Sequence, residues 1–234
     1  MPLLAAAVCP HPPVLIPELA AGAAAELDGL RAACDTAVAR LLAAGPAVVC
    51  VLGAGPASTE HAFPYRASFA PWGVAVEAHL GPVAADTPAL PLSVAVGVWL
   101  LRRAAPGPVD CRVVTVSATA PPAECARLGA ELTRAGSVAL LVMGDGSACR
   151  TLKAPGYLDP RAEPFDAAAT AALESADPAA LLALDPGLAD ELLVAGRAPW
   201  QVLAGAADGV RFRGERLYDG APYGVQYTVV SWTV

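Results

Sequence analysis

The sequence predicts an α/β domain of three layers, with helices on both faces of a central mixed, largely parallel sheet. Three observations carry this. Short apolar runs (Leu3 to Cys9, Ala47 to Leu52, Val138 to Met143) have no polar alternation, the pattern of strands buried on both faces. Segments with apolar residues at helical spacing separate them. The last two strand-like runs, Val210 to Asp219 and Tyr223 to Trp232, are joined only by the turn Asp219-Gly-Ala-Pro222, which suits an antiparallel pair at the sheet's edge.

Taken in order, Leu3 to Cys9 is the first strand, and Cys9-Pro-His-Pro-Pro continues it as a proline-stiffened loop. Ala23 to Leu42 reads as a helix with Glu26, Asp28, Arg31 and Arg40 on its wet face. Ala47 to Leu52 is a strand that ends in Gly53-Ala-Gly-Pro. Ser58 to Pro71 reads as loop and Gly73 to Leu80 as a strand. Pro91 to Arg103 is helical, Cys111 to Ser117 strand, Pro121 to Ala135 helix and Val138 to Met143 strand. Beyond the loop that follows, helices are expected over Glu163 to Ser175, Pro178 to Leu184, and Pro186 to Ala207 with a break near Gly196. No linker or fixed-period repeat interrupts the chain, so residues 1–234 form one domain.

Composition narrows the function classes. Hydrophobic residues make up 56% of the chain, much of it Ala, yet no long run is free of charge, Pro and Gly, so no membrane span is expected. The net charge of −7, with a single Lys (Lys153) and no basic stripe, argues against nucleic acid as a partner. The N-terminal run lacks a basic segment and is soon followed by several prolines, which argues against a signal peptide and for a cytoplasmic protein. The six cysteines (9, 34, 50, 111, 125 and 149) form no Cys-x-x-Cys pair and read as reduced thiols.

The chemistry-bearing stretch is Met143 to Asp166. A buried strand breaks at Gly144 into Asp145-Gly-Ser147, at the end of a strand where open α/β sheets place ligands. Asp145 either caps its own loop or lines a pocket. Cys149 is a candidate nucleophile if a base and a lowered pKa accompany it, and otherwise a buried bystander. His11 is either a metal ligand or a core histidine in a fixed loop. His61, beside Glu60, is either a second ligand or part of a solvated loop, and His79 reads as structural.

Several motifs, in order, carry a resemblance. They are Pro-His11-Pro-Pro; Gly144-Asp-Gly-Ser147 followed by Gly156-Tyr-Leu-Asp-Pro-Arg-Ala-Glu-Pro-Phe-Asp166; Leu203-Ala-Gly-Ala; and Ala221-Pro-Tyr-Gly-Val-Gln-Tyr227. Over nearly its whole length the chain resembles the class III extradiol ring-cleavage dioxygenases, in the form of their catalytic subunit, whose relatives include AMMECR1-fused and Memo-like proteins. The resemblance implies a non-haem Fe(II) held by two His and one carboxylate, with a further His as acid–base catalyst. Carried over by position, His11 matches the first iron His. The second falls at Gly53-Ala-Gly55-Pro, which offers no ligand; His61 lies six residues on and would serve only if its loop swung inward. The acid–base position is Ala148, followed by Cys149. The carboxylate segment is Ala195-Gly-Arg197-Ala-Pro, and a guanidinium cannot ligate iron.

Three functions therefore stay open. One is a lapsed member that keeps the cleft, lined by His11, Gly55, Ser147 and Arg197, for a small molecule or a partner. Another is an active Fe(II) dioxygenase on a catechol-like substrate, rebuilt around His11 and His61. The third is a non-oxidative enzyme using Asp145 or Cys149. The first implies no cofactor and the second Fe(II). A homo-oligomer or a small partner protein is compatible with all three.

Overall fold

The computed structural model describes residues 3–134 and 136–234. Among these, seven strands form one sheet. β1 (Leu3–Cys9), β2 (Val48–Gly55), β6 (Cys111–Ser117) and β7 (Val138–Met143) are its parallel centre, β6-β2-β7-β1. β3 (Thr59–Glu60) pairs antiparallel outside β6. On the other side β9 (Tyr227–Thr233) pairs antiparallel with β1, and β8 (Arg213–Gly220) with β9. β4 (Tyr65–Ser68) and β5 (Glu77–Leu80) form a separate antiparallel pair. The expected fold class is the observed one: a mixed sheet, parallel at its centre, between helical layers.

One apolar core lies on each face. The first gathers Val8, Leu52, Val116, Leu140 and Trp232 from the sheet. It meets α4 (Pro122–Leu132), α5 (Ala162–Glu174), α6 (Pro178–Leu182), α7 (Pro186–Glu191) and α8 (Arg197–Ala206). The second gathers Ala5, Ala7, Cys9, Val51, Leu141 and Met143 against α2 (Asp28–Ala43), α3 (Leu92–Ala104) and the β4–β5 pair; α1 (Pro17–Ala20) leads into this layer. Successive β1 residues thus alternate between the two cores, as the pleat requires.

The structure corrects several expectations. Ser58 to Pro71 contains β3, β4 and a 3₁₀ turn, because His61 N donates to the Val113 carbonyl and draws this segment onto the sheet's edge. The predicted helix from Ala23 begins instead as a 3₁₀ stretch, Ala21–Leu27. Arg31, expected on the wet face, is buried, and its guanidinium takes the carbonyls of Ala24 and Leu15 and the Asp28 carboxylate. The predicted helix end at Ala135 lies outside the described residues. All six cysteines are free, five of them buried.

The Leu203-Ala-Gly-Ala motif has a packing reason. A methyl at Gly205 would run into the backbone of Ala126, and one at Gly129 into the Val202 carbonyl and Ala206 amide. α4 and α8 therefore meet backbone to backbone. Gly205→Ala is expected to force them apart and lower stability by about 1–3 kcal/mol, the usual cost of overpacking a close contact. A urea unfolding midpoint equal to that of the natural protein would contradict this.

Candidate functional site

The four parallel strands end at one edge of the sheet, where ligands bind in such folds. There β1 runs into Pro10 and His11, and β7 into Gly144 and Asp145. The register pairs Cys9 with Met143, so His11 and Asp145 leave the sheet at the same level on adjacent strands. They meet. The His11 backbone N–H donates to Asp145 Oδ1 at 2.7 Å, and His11 Nδ1 lies 3.7 Å from the same oxygen. Both side chains are largely buried, 10% and 14% exposed. His11 Nδ1 is buried with no hydrogen-bond partner. Burial pushes the Asp145 carboxyl above its ordinary range, and His11 partly offsets that push. Asp145 thus both caps a backbone amide and faces an imidazole.

The backbone at this edge is stitched from several directions. Gly144 N donates to the Cys9 carbonyl, and Gly196 N to the Asp145 carbonyl. The second of these places Arg197 beside the His11–Asp145 pair in the chain, but its guanidinium points elsewhere. It is buried, and it donates to the carbonyls of Ala118 and Ala120 and to Gln201 Oε1. Arg197 therefore pins the loop between β6 and α4. It pairs with neither Asp145 nor Glu18, and these three acceptors make it a residue of the fold.

Two other expected site residues, Ser147 and Cys149, are corrected. Ser147 lines no open pocket: it is fully buried, and its N–H and Oγ donate to Asp166 at 2.8 and 2.5 Å. Cys149 is not set up as a nucleophile. It is buried, its S–H points at the Leu192 carbonyl, and burial raises its pKa, so the reactive thiolate is disfavoured. Gly55 has no room for a larger side chain in this packing, since a Cβ would lie 2.8 Å from that of Thr115.

His61 does not reach His11. Its N–H bonds Val113, and its Nε2 lies 3.2 Å from Thr115 Oγ1. It sits outside β6, four strand spacings from β1, or about 19 Å across the sheet. Val113 aligns through Val51 and Leu141 with Ala7, so His11 lies four residues further along, about 13 Å at strand rise. His79 is half-exposed and bonds Glu77 at 2.9 Å. Among the described residues no group of three or more His, Cys, Asp or Glu is placed to hold a metal ion. The two-imidazole, one-carboxylate set required for Fe(II) is not assembled, and the residues at this edge do not fit that ion.

Sequence reasoning missed the network behind Ser147. Asp166, 2% exposed, also accepts from Arg150 at 3.2 Å. Arg150 donates in turn to Gln226 Oε1, and Gln226 Nε2 donates to Asp219. Burial raises the Asp166 pKa, while Ser147 and Arg150 act to lower it. The usable hint was the pairing of Ser147 and Asp166 at the two ends of one motif-bearing stretch.

A cavity of about 470 Å³ opens beside Arg197, lined by Ala118 and Thr119 after β6 and by Pro186, Asp190, Leu193, Val194 and Ala195. Its volume lies within the usual range for small-molecule sites.

The Asp145 carboxyl sets a pH dependence. A carboxyl raised on folding binds more protons in the native than in the unfolded state, so its contribution to stability falls as pH rises through the folded pKa. Asp145→Asn keeps an oxygen to accept from His11 N and removes the charge. The stability of this variant relative to the natural protein is therefore expected to increase from pH 4 to pH 7. Urea melts at both values check it, and a constant difference would contradict the assignment.

No family model matches the chain, and no curated protein matches it. The chain is similar in structure to an uncharacterized protein from Escherichia coli K12, known from a crystal structure. The TM-score is 0.57 with 18% identity, over 97% of this chain and 99% of that one. At this identity the likeness shows a shared fold.

Proposed function

We propose that this chain is a class III extradiol dioxygenase-like protein that has lost its iron chemistry and uses the carboxyl edge of its sheet to bind a small molecule or a partner. The observation that carries the reading is the donor set. Of the positions matching the family's ligands, His11 alone presents an imidazole. Gly55 is packed against Thr115, Arg197 is committed to backbone carbonyls, and His61 is far across the sheet. The acid–base position is Ala148, which has no titratable group, and such a group typically supplies about 10²–10⁴-fold in rate. A non-oxidative enzyme using Asp145 is the second reading, favoured by the unpartnered His11 Nδ1 facing that carboxylate.

The test is anaerobic reconstitution with Fe(II), followed by calorimetry and oxygen uptake over a panel of catechols. No stoichiometric site of micromolar or tighter affinity and no ring-cleavage turnover are expected. A tight iron site with turnover would overturn the proposal.

A further inference from the structure

We infer that the cavity between the β6–α4 loop and the 186–197 segment is a binding site for a small organic cation with an apolar body. This names the ligand class for the reading above, and rests on this edge being a binding site.

The walls decide the body of the ligand. Ala118, Pro186, Ala189, Leu193, Val194 and Ala195 give the cavity a mostly apolar lining. Few ordered polar groups compete there, so an apolar body of six to eight carbons would gain from leaving water, at about 0.8 kcal/mol per buried methylene. The mouth of the cavity lies directly after Ser117, the last residue of β6, at the ligand-binding edge of the sheet.

The charges decide the head. Two ionisable side chains line the cavity, Asp190 and Arg197. The Arg197 guanidinium is buried and spent on Ala118, Ala120 and Gln201, so its hydrogen bonds are directed into the protein. Neighbouring carboxylates are also occupied: Asp185 caps α7 through Leu188 N, and Glu191 pairs with Arg161. The Asp190 carboxylate, by contrast, has no hydrogen bond or ion pair among the described residues. It stands exposed on this wall, the one charge there without a protein partner among those residues, and it favours a cation. The Thr119 hydroxyl, which shares a hydrogen bond with Ser117 Oγ at 3.1 Å, lines the same cavity.

The rim of the cavity is the end of α7. Leu193, at φ +57°, closes that helix, with its N–H on the Asp190 carbonyl and the Val194 N–H on the Ala189 carbonyl. It is 51% exposed and lines the cavity.

The experiment uses the full chain, labelled with ¹⁵N, and three probes of one shape: cyclohexylmethylamine, cyclohexylmethanol and cyclohexanecarboxylate. Saturable binding of the amine is expected, with amide shifts confined to residues 118–119 and 187–197. The amine should bind at least threefold more tightly than the alcohol, the size expected of a solvent-exposed ion pair, and the carboxylate more weakly than either. Asp190→Asn should bring amine and alcohol to equal affinity, and Thr119→Trp, which fills the mouth, should weaken all three at least tenfold. Thermal melts establish that both variants fold. Equal binding of amine and alcohol by the natural protein, no saturable amine binding, or shifts centred elsewhere would each overturn the inference. Iron binding is read separately by calorimetry, so failure here is distinct from failure of the lapsed-dioxygenase reading.

Discussion

The loop after β7 depends on one buried carboxylate. Asp166 sits on the first turns of α5 and receives the Ser147 amide, the Ser147 hydroxyl and the Arg150 guanidinium. A carboxylate this deep is tolerable only when paired and hydrogen-bonded. Removing a partner from such a pair typically costs about 3–5 kcal/mol, because an uncompensated charge is left behind. The same anchor fixes where Asp145 stands, two residues before Ser147, and hence the oxygen that receives the His11 amide. Gln226 extends the hold to β9, through its own backbone bonds to Gly146 and Ser147 and through Arg150. α5, β9 and the edge of the central sheet are therefore locked together by polar contacts at the place where the apolar cores run out.

Much of this fold was legible in the sequence. The strands Leu3–Cys9 and Val138–Met143 fall where the unbroken apolar runs put them, since a central parallel strand must be apolar on both faces. The helix break near Gly196 was also readable. Contacts between distant segments were not. Nothing local distinguishes Thr59–Glu60 from a solvated loop; it becomes a strand because Thr115 and Val114 lie alongside. Arg31 has helical spacing suited to water, yet the carbonyls of Ala24 and Leu15 draw it inward.

The site divides along the same line. His11 and Asp145 could be placed at one edge because each directly follows a strand. The roles of Ser147, Cys149 and Arg197 could not be read, since each is settled by a partner far along the chain: Asp166, Leu192 and the Ala118–Ala120 loop. Arg197 is instructive. A guanidinium near a cleft suggests an anion site, but the carbonyls after β6 need donors, and a buried guanidinium provides several in one fork. Gln201, one turn on, satisfies the carbonyls of Leu181, Leu182 and Leu184 in the same manner. The start of α8 is thus tied by side chain to backbone bonds to the loop after β6 and to the end of α6.

The two borders of the sheet carry a consequence for self-association. β3 is two residues long, and β8 presents Arg213, Glu215, Arg216 and Asp219 along the other border. Short or heavily charged borders resist the addition of a foreign strand. The central sheet thereby offers a poor template for strand addition, and copies of the chain that come together are steered to other surfaces.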